Sequence, residues 1–321
     1  MARSLKVLLV AEEAAGVQTL RLLAGSPHQV VAVLTASGSG IGSGATVSAV
    51  ASRLGIPVWP VRQVKEKALV ERVRRDEIDV LLNVHALHVL PAELVAAPRI
   101  GSFNLHPGPL PEYAGLNAPS WAIYHGERTH AVTVHWMDGG IDTGQIAYET
   151  RLEVSEDDTG FSLSAKCVRA GLPLLQELLA AASDDAVPRR PQPPHTRRYY
   201  GREVPQRGRI DWTRPAAQIV NFVRASDYLP FVSPWGHTTA SLGGRELSVL
   251  KAIRTWEPCT DLPGRVGRRM GDDVLVAAAD QWVQLRRVQV GASVFPAGHV
   301  LQPGDQFDVP LQIEEPSGVA R

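Results

Sequence analysis

Four apolar segments that alternate with helix-like segments constrain most strongly how this chain folds. The segments KVLLVA, VVAVLT, IDVLLNV and IGSFNLH are almost continuously apolar. Between the second and third lie VSAVASRLG and KEKALVERVRRDEI, which have the apolar period of helices. Strands that are apolar on both sides and alternate with helices are typical of a parallel sheet covered on both faces. The pattern predicts an α/β domain with a doubly wound, mostly parallel sheet.

The chain divides after a long predicted helix, SLSAKCVRAGLPLLQELLAAA, which follows two strand-like segments, AVTVHWMD and GQIAYETRLEV. The next segment is rich in Pro and Arg and has no apolar period, which predicts a linker over residues 189–206. Beyond it, one amphipathic helix precedes several short strand-like segments with turns about every ten residues. We therefore predict an α/β domain over residues 1–188 and a small β barrel or sandwich over residues 207–321.

Composition and charge exclude several classes of protein. Apolar residues make up 44% of the chain and charged residues 21%, as in ordinary globular proteins. The formal net charge is zero, which gives no indication of nucleic acid or membrane binding. The two cysteines, Cys167 and Cys259, fit a reducing cytoplasm better than a disulfide framework. No apolar run approaches the ~18 residues of a membrane span, so we expect a cytoplasmic protein.

The segment FNLHPGPLPEYAG places Asn104 and His106 at the end of the fourth predicted strand. Residues two apart in a strand face the same side, so these side chains are expected to project together. Ligands of doubly wound sheets bind at the carboxyl ends of the strands, which is where both residues lie. The amide and the imidazole form a candidate catalytic pair, although side chains at strand ends also satisfy local backbone groups.

A candidate third member is Asp142, in the segment MDGGIDTGQI between two predicted strands. The glycines beside it permit unusual backbone angles and close approach to a ligand. Asp138 lies four residues earlier and competes with Asp142 for the catalytic role. Taken alone, the loop is also explained as a turn in which an Asp caps backbone groups.

Together, FNLHPGPLPEYAG and VTVHWMDGGIDTGQI, with LHVLP upstream, resemble the motifs of the folate-dependent formyltransferases. This family includes methionyl-tRNA formyltransferase, the amino-sugar N-formyltransferases and the hydrolase domain of formyltetrahydrofolate dehydrogenase. The resemblance runs from about residue 4 to 183, and GRIDWTRPAAQIVNFVRA resembles the start of the family's smaller domain. It implies a Rossmann-like α/β domain, an OB-like β domain and 10-formyltetrahydrofolate as co-substrate.

The family's catalytic Asn, His and Asp match Asn104, His106 and Asp142 in this sequence. The resemblance implies that an amine attacks the formyl carbon directly and that a tetrahedral oxyanion forms. Asn104 is then expected to orient the formyl group and stabilise the oxyanion, and His106 to stabilise it and transfer a proton. Asp142 is expected to act as the general base.

The same resemblance assigns a folate site. The residues matching the family's pterin-binding loop are Leu87, His88, Val89 and Leu90, and we add Asp138 and Gly139 from the glycine-rich loop. His85 and His88 form an H-x-x-H pattern, but without helical i,i+4 spacing or a carboxylate partner we predict no metal site.

Three departures from the family pattern bear on the acceptor. Ala114 follows Tyr113 where tRNA-specific members carry Arg, and ASGSGIGSGAT stands where those members insert a basic loop. Pro107 and Gly108 follow His106, whereas the family usually has Ser at the second position. The first two departures favour a small-molecule amine, such as an amino sugar, over transfer RNA.

Four other functions remain as alternatives: methionyl-tRNA formyltransferase, formyltetrahydrofolate hydrolase, a folate-binding module without catalysis, and a nicotinamide-dependent oxidoreductase. The last is disfavoured because no G-x-G-x-x-G follows the first strand, which ends in AEEAAG. We expect no nucleic-acid partner, and either a monomer or a homodimer.

Overall fold

The amino-terminal half is built on one seven-stranded sheet in the computed structural model, which describes residues 3–36 and 45–309. The strands of this half are β1 (Lys6–Ala11), β2 (Gln29–Thr35), β3 (Val58–Pro60), β4 (Val80–Val84), β5 (Gly101–His106), the short β6 (Ala114–Gly115), β7 (Thr129–Trp136) and β8 (Ile146–Glu153). The order in the sheet is β3-β2-β1-β4-β5-β7-β8. The first five of these run parallel, whereas β7 is antiparallel to β5 and to β8.

Helices cover both faces of this sheet. They are α1 (Glu13–Ala24), α2 (Val47–Arg53), α3 (Lys67–Arg75), α4 (Ala92–Val95), α5 (Ala118–Tyr124) and α6 (Gly160–Ser183). Leu9 of β1 belongs to a buried cluster with Leu20 of α1 and Leu175 of α6. Leu8, which points to the other face, belongs to a second cluster with residues of α3 and α4. The prediction of a doubly wound α/β domain is confirmed.

Two details of this domain go beyond the sequence prediction. Strand β3 was not predicted, because its three residues at the sheet edge are partly exposed and form no apolar run. The two strand-like segments after α5 form the antiparallel hairpin β7–β8, which extends the parallel sheet beside β5. As a result the sheet is mixed, and β7 lies directly against the strand that carries Asn104.

The direction of strand addition reverses between β1 and β4. From β1 the chain builds outward through β2 and β3, and then returns to add β4 and β5 on the other side of β1. A crevice forms at such a switch point outside the carboxyl ends of the strands. Asn104 and His106, in the carboxyl-terminal half of β5, lie at this edge.

The predicted linker is attached to the first domain by backbone pairing. Arg190 forms an antiparallel bridge with Ile146 of β8. Further along, strand β9 (Tyr199–Tyr200) pairs in parallel with β6. The Pro/Arg-rich segment therefore packs along the edge of the α/β domain, and the domain limits given above stay a prediction.

The carboxy-terminal part is an antiparallel β domain preceded by one helix. Its elements are α7 (Ala216–Ala225), β10 (Thr238–Leu242), β11 (Arg245–Pro258), β12 (Val266–Met270), β13 (Asp273–Ala277), β14 (Gln281–Val290) and β15 (Ser293–Pro296). The order is β10-β11-β14-β13-β12, with β15 also paired to β14. Phe307 bridges Leu242 at one end of this order, and Gln306 bridges Arg265 at the other. These bridges link the two edges of the sheet through residues 306 and 307. The predicted smaller β domain is confirmed. Strands β12 and β15 were not predicted.

Aromatic side chains connect the two parts. Trp121 of α5 lies 4.9 Å from Trp235, and Tyr124 lies 5.5 Å from Phe222 of α7, measured between ring centroids. One apolar cluster runs through this contact from the first sheet into the β domain. In the described part of the chain, no helix is long and apolar enough to cross a membrane.

Replacement of Trp212 by Ala is expected to lower the free energy of unfolding by about 3–5 kcal/mol. Trp212 is fully buried and stacks on Phe307 at 5.0 Å, so truncation leaves a cavity that the β domain cannot fill. The matched control is Trp256→Ala, at a side chain that is 56% exposed. Denaturant unfolding measures both; equal losses for the two variants would show that Trp212 is not a core residue.

Candidate active site

Asn104 stands in the middle of a polar row across three strands. Its strand partners are Asn83 of β4 and His135 of β7. The side-chain N–H of Asn83 donates to Oδ1 of Asn104 over 3.0 Å. The Asn104 amide nitrogen in turn lies 3.1 Å from Nε2 of His135 and 3.3 Å from Oδ1 of Asp142. All three hydrogen bonds are satisfied when Asn104 donates both of its N–H groups.

Asp142 is a buried carboxylate surrounded by groups that stabilise its negative charge. Its Oδ2 accepts the backbone N–H of Gly115 over 2.8 Å and lies 3.6 Å from Nδ1 of His106. Its Oδ1 lies 3.3 Å from Nε2 of His135. Burial alone raises the pKa of Asp142, but the positive charges that His106 and His135 carry when protonated, together with the Gly115 N–H, hold it well below its usual range. Asp142 is therefore ionised at neutral pH.

His106 is held by the loop that follows it. Its Nε2 lies 2.6 Å from the carbonyl oxygen of Tyr113, and because a carbonyl only accepts, this nitrogen carries the proton. Burial is the largest influence on the imidazole and lowers its pKa, against the opposing attraction of Asp142. His106 is thus neutral at neutral pH, with Nδ1 facing the carboxylate.

Two glycines let the Pro107–Gly115 loop fold over these side chains. A Cβ at Gly108 would lie 2.9 Å from Cβ of Ala118 and 3.0 Å from Nε2 of His106. Gly115 has a φ of +97°, and a Cβ there would lie 2.1 Å from the carbonyl oxygen of Tyr200. The departure from the family pattern at Gly108 therefore has a steric reason: the loop packs directly on the His106 imidazole.

Residues of the predicted linker fix the backbone of the Asp142 loop. Asp142 has a φ of +53°, a left-handed conformation that is unfavourable for a residue other than glycine. The side-chain N–H groups of Gln192 donate to the carbonyl oxygens of Asp142 and Gly144 over 3.0 and 2.6 Å. Arg197 donates to the carbonyl oxygens of Asp142 and Ile141 over 3.2 and 2.8 Å. These four bonds compensate for the unfavourable backbone of Asp142.

Sequence reasoning missed four residues of this cluster: Asn83, His135, Gln192 and Arg197. No sequence motif pointed to His135 as a site residue, yet this residue is 2% exposed and contacts both Asn104 and Asp142. Asn83 carried a signal, since it is a polar residue inside the otherwise apolar run VLLNV. Its Oδ1 is buried and has no hydrogen-bond donor among the described residues.

The two loop aspartates have different contacts. Oδ1 of Asp138 accepts hydrogen bonds from the backbone N–H of Gly140 and the hydroxyl of Thr143, within its own loop. Gly139, beside it, is exposed. Asp142 is the residue that contacts the histidines, and Asp138 has the turn-capping contacts that were the alternative interpretation of this loop.

The four residues assigned to the pterin lie in the loop between β4 and α4, at the carboxyl edge of the sheet. Leu87 is 78% exposed and Val89 is 67% exposed, whereas Leu90 is buried and His88 is half-buried. Two exposed aliphatic side chains on one short loop present an apolar surface of the kind that an aromatic ring covers. Within residues 3–36 and 45–309, no group of three or more His, Cys, Asp or Glu is arranged to hold a metal ion.

The cluster has one partly exposed member and three buried ones. Asn104 is only partly buried, whereas His106, His135 and Asp142 are at most 9% exposed. A substrate that enters the crevice therefore meets the Asn104 amide, with two imidazoles and an ionised carboxylate behind it. Such an arrangement stabilises a developing oxyanion and moves a proton without a nucleophilic Ser or Cys.

Replacement of Gln192 or Arg197 by Ala is expected to lower kcat for the formyl transfer expected from the sequence by about 10-fold each. The KM for the folate should change little, because both side chains hold the Asp142 backbone. Steady-state kinetics measures the split. Arg202→Ala, at an exposed arginine of the same linker, is the control. Unchanged kcat in both variants would show that the loop holds its conformation without them.

The pH dependence of stability reports on His130, whose Nε2–H donates to the carbonyl oxygen of Pro107 over 2.8 Å. Burial lowers the pKa of His130 to about 4. Between pH 6.5 and 4 the unfolded chain binds a proton there and the folded chain does not, so stability falls as the pH falls.

We expect wild type to lose on the order of 3 kcal/mol more than His130→Gln over this interval, measured by urea unfolding. His195→Gln, at an exposed histidine, should follow wild type. Parallel curves for wild type and His130→Gln would contradict the assignment.

Comparison with known proteins identifies the family. The amino-terminal domain model of the formyl transferases matches residues 6–179, and the model of their carboxy-terminal domain matches residues 204–298. The fold is similar to that of an N-formyltransferase from Helicobacter canadensis, solved with folinic acid and dTDP-3-aminofucose. That match has a TM-score of 0.67 and 16% identity, over 88% of this chain and 98% of the other.

Two further solved structures share the fold. WlaRD, a sugar 3N-formyl transferase solved with dTDP and 5-N-formyl-THF, matches with a TM-score of 0.68 and 16% identity over 89% of this chain and 98% of its own. HypX from Aquifex aeolicus, solved with tetrahydrofolic acid, matches with a TM-score of 0.62 and 17% identity over 93% of this chain and 47% of its own. The chain spans about half the length of HypX. With both domain models matched over most of its length, this chain belongs to the formyl transferase family.

Proposed function

We propose that this protein transfers a formyl group from 10-formyltetrahydrofolate to the amine of a small molecule. The observation that carries the proposal is the partly exposed amide of Asn104 above the buried pair of His106 and Asp142 at the carboxyl edge of the sheet. Complexes of neighbouring structures with folinic acid, 5-N-formyl-THF and tetrahydrofolic acid support a folate as the donor.

The proposed reaction is a direct acyl transfer. The acceptor nitrogen forms a bond to the formyl carbon, the bond from that carbon to N10 of the folate breaks, and one proton moves from the acceptor nitrogen to N10. An N–H of Asn104 leaves its partner in the resting site and donates to the formyl oxygen as negative charge develops there. A preorganised donor of this type contributes about 10²–10³ in rate.

The electrostatics of the cluster divide the remaining roles. A carboxylate with a pKa as low as that of Asp142 is a weak proton acceptor, whereas the neutral imidazole of His106 is a stronger one. We assign proton transfer to the His106–Asp142 pair, in which Asp142 stabilises the imidazolium as it forms. This revises the sequence-based expectation that Asp142 is the general base.

The folate is proposed to bind along the loop of Leu87, His88, Val89 and Leu90, with Asp138 and Gly139 as further contacts. The exposed side chains of Leu87 and Val89 support this position, because they present apolar surface at the same edge as Asn104. Backbone groups of the loop are available to pair with the polar edge of a pterin, as in the family that the sequence resembles.

A small amine is proposed as acceptor in place of transfer RNA. Binding to an acceptor stem requires several Lys or Arg near the site, and the segment PGPLPEYAGLNAP contains none and one acidic residue, Glu112. The segment ASGSGIGSGAT has no basic residue either, and most of it lies outside the described residues. Arg197, a nearby cation of the linker, is engaged by backbone carbonyls. A cytoplasmic location and a monomeric or homodimeric state stay predictions.

The test is incubation with 10-formyltetrahydrofolate and a panel of acceptors, with mass spectrometry for the gain of one formyl group. The panel includes free and dTDP-linked amino sugars, alkyl amines and methionyl initiator tRNA. Asn104→Ala, His106→Ala and Asp142→Ala should each lower turnover by at least about 10², and double variants should lose less than the product of the single losses.

Asp261→Ala, an exposed aspartate of the β domain, serves as the matched control and should retain turnover. Salt-sensitive formylation of the tRNA with no small-amine product would make this a methionyl-tRNA formyltransferase. Formate release at the same rate with and without amines would make it a hydrolase. Near-normal turnover of Asp142→Ala would remove that residue from the mechanism.

A further inference from the structure

Glu13 and His85 form an ion-pairing dyad beside the proposed catalytic cluster. Glu13 follows the carboxyl end of β1, and His85 directly follows the carboxyl end of β4. Strands β1, β4 and β5 are parallel neighbours in that order, so their carboxyl ends lie in a row at one edge of the sheet. The row is therefore Glu13, His85 and then the cluster of Asn104 and His106.

The two side chains differ sharply in exposure. Oε2 of Glu13 lies 3.5 Å from Nδ1 of His85, with the Glu13 side chain 72% exposed and the His85 side chain 14% exposed. The hydrogen bond to His85 is the largest influence on this carboxyl and lowers its pKa. The dyad consequently presents an exposed carboxylate, with a largely buried imidazole beside it.

Unfavourable backbone conformations bring the two side chains together. Glu13 has a φ of +58° and His85 a φ of +54°, in the left-handed region. Each such residue costs on the order of 1–3 kcal/mol, a cost that persists where the surrounding structure requires the conformation. Here the residues after two neighbouring strands, β1 and β4, both adopt the left-handed conformation, and the result is the contact between Glu13 and His85. That contact is separate from the hydrogen bonds of Asn104, His106 and Asp142.

The groups around the dyad place it between the catalytic cluster and the loop after α7. Burial lowers the pKa of His106, and His85 is close enough to add to this effect. Burial raises the pKa of Tyr228, and the Glu13 carboxylate adds to that effect. The Tyr228 hydroxyl lies 2.9 Å from the hydroxyl of Ser120 on α5, which fixes its ring. His106 and Tyr228 are thus two titratable groups whose pKa values the dyad influences.

We propose that Glu13 and His85 form the subsite for the acceptor amine, binding it as an ammonium ion and removing one proton before attack. This proposal rests on the proposed function. An aliphatic amine is protonated at neutral pH, and only its neutral form attacks a formyl carbon. A carboxylate attracts the cation, and an adjacent imidazole is the side chain suited to accept a proton near neutral pH.

The proton balance is complete with the groups present. The ammonium gives one proton to His85, which becomes an imidazolium paired with Glu13, and the neutral amine attacks the formyl carbon of the folate. The second proton leaves the attacking nitrogen for N10 through the His106–Asp142 pair, and the first returns to water through the exposed side of the dyad. The product formamide is neutral, so the Coulombic attraction to Glu13 ends and product release is favoured.

The dyad predicts the chemical class of the acceptor: a primary aliphatic amine that is cationic at neutral pH. Glu13→Gln should raise KM for such an amine at least about 10-fold, and leave KM for the folate within about 2-fold. With an acceptor amine of low basicity, already neutral at the assay pH, the same substitution should change KM by less than about 2-fold. A merely structural role for Glu13 does not distinguish these two acceptors.

A second variant tests the proton transfer. His85→Asn retains a residue type that tolerates the left-handed conformation. With the aliphatic amine, its rate should rise by about 10-fold per pH unit toward the pKa of the amine, whereas wild type reaches its plateau at lower pH. Glu71→Gln, an exposed glutamate of α3, is the matched control. Circular dichroism and urea unfolding confirm that the variants remain folded.

Each outcome is decisive. Equal effects of Glu13→Gln on both acceptors, or a wild-type pH profile for His85→Asn, overturn the dyad proposal while wild-type formylation leaves the proposed function intact. Formylation of no amine by wild type overturns the proposed function itself. An effect confined to the cationic acceptor, together with the shifted profile, establishes the subsite.

Discussion

The buried carboxylate of Asp142 is the constraint on which the rest of the site depends. A charge removed from water costs several kcal/mol unless partners replace the lost hydration. Here the partners come from separate elements: the amide of Asn104 on β5 and the backbone N–H of Gly115 on the proline-rich loop. A fold that misplaces one of these segments leaves the charge uncompensated. The stability of this region and the geometry of the candidate site therefore depend on the same contacts.

The Pro/Arg-rich segment between the two domains helps to hold the surroundings of Asp142 in place. Gln192 and Arg197 bind the carbonyl oxygens on either side of the Asp142 side chain, and β9 pairs with the short strand that carries Gly115. The Asp142 loop and the strand of Gly115, which together surround the carboxylate, are therefore both bound to the Pro/Arg-rich segment. A segment whose composition indicates a linker thus holds the Asp142 loop in a left-handed backbone conformation that few residues other than glycine adopt.

Polar side chains at the carboxyl edge of the sheet differ in how far they are exposed to solvent. Asn104 is accessible, the histidines and Asp142 lie beneath it, and Glu13 extends into solvent two strands away. In the proposed reaction this gradient separates two tasks that a single group cannot perform. A cationic amine is attracted by an exposed charge, whereas an oxyanion is stabilised best by donors fixed in a dry, low-dielectric setting.

The sequence by itself determined the doubly wound domain, the smaller β domain and the positions of Asn104 and His106, since apolar period and strand-end spacing are local properties. The family motif that begins at Asn104 also pointed to Asp142, 38 residues later in the chain. Only the structure showed that Asp142, and not Asp138, contacts Asn104. Only the tertiary structure brought in His135, Gln192 and Arg197, because strand pairing and side-chain reach join residues that no local pattern connects. The same holds for Glu13 and His85, which are 72 positions apart and meet because β1 and β4 are neighbours in the sheet.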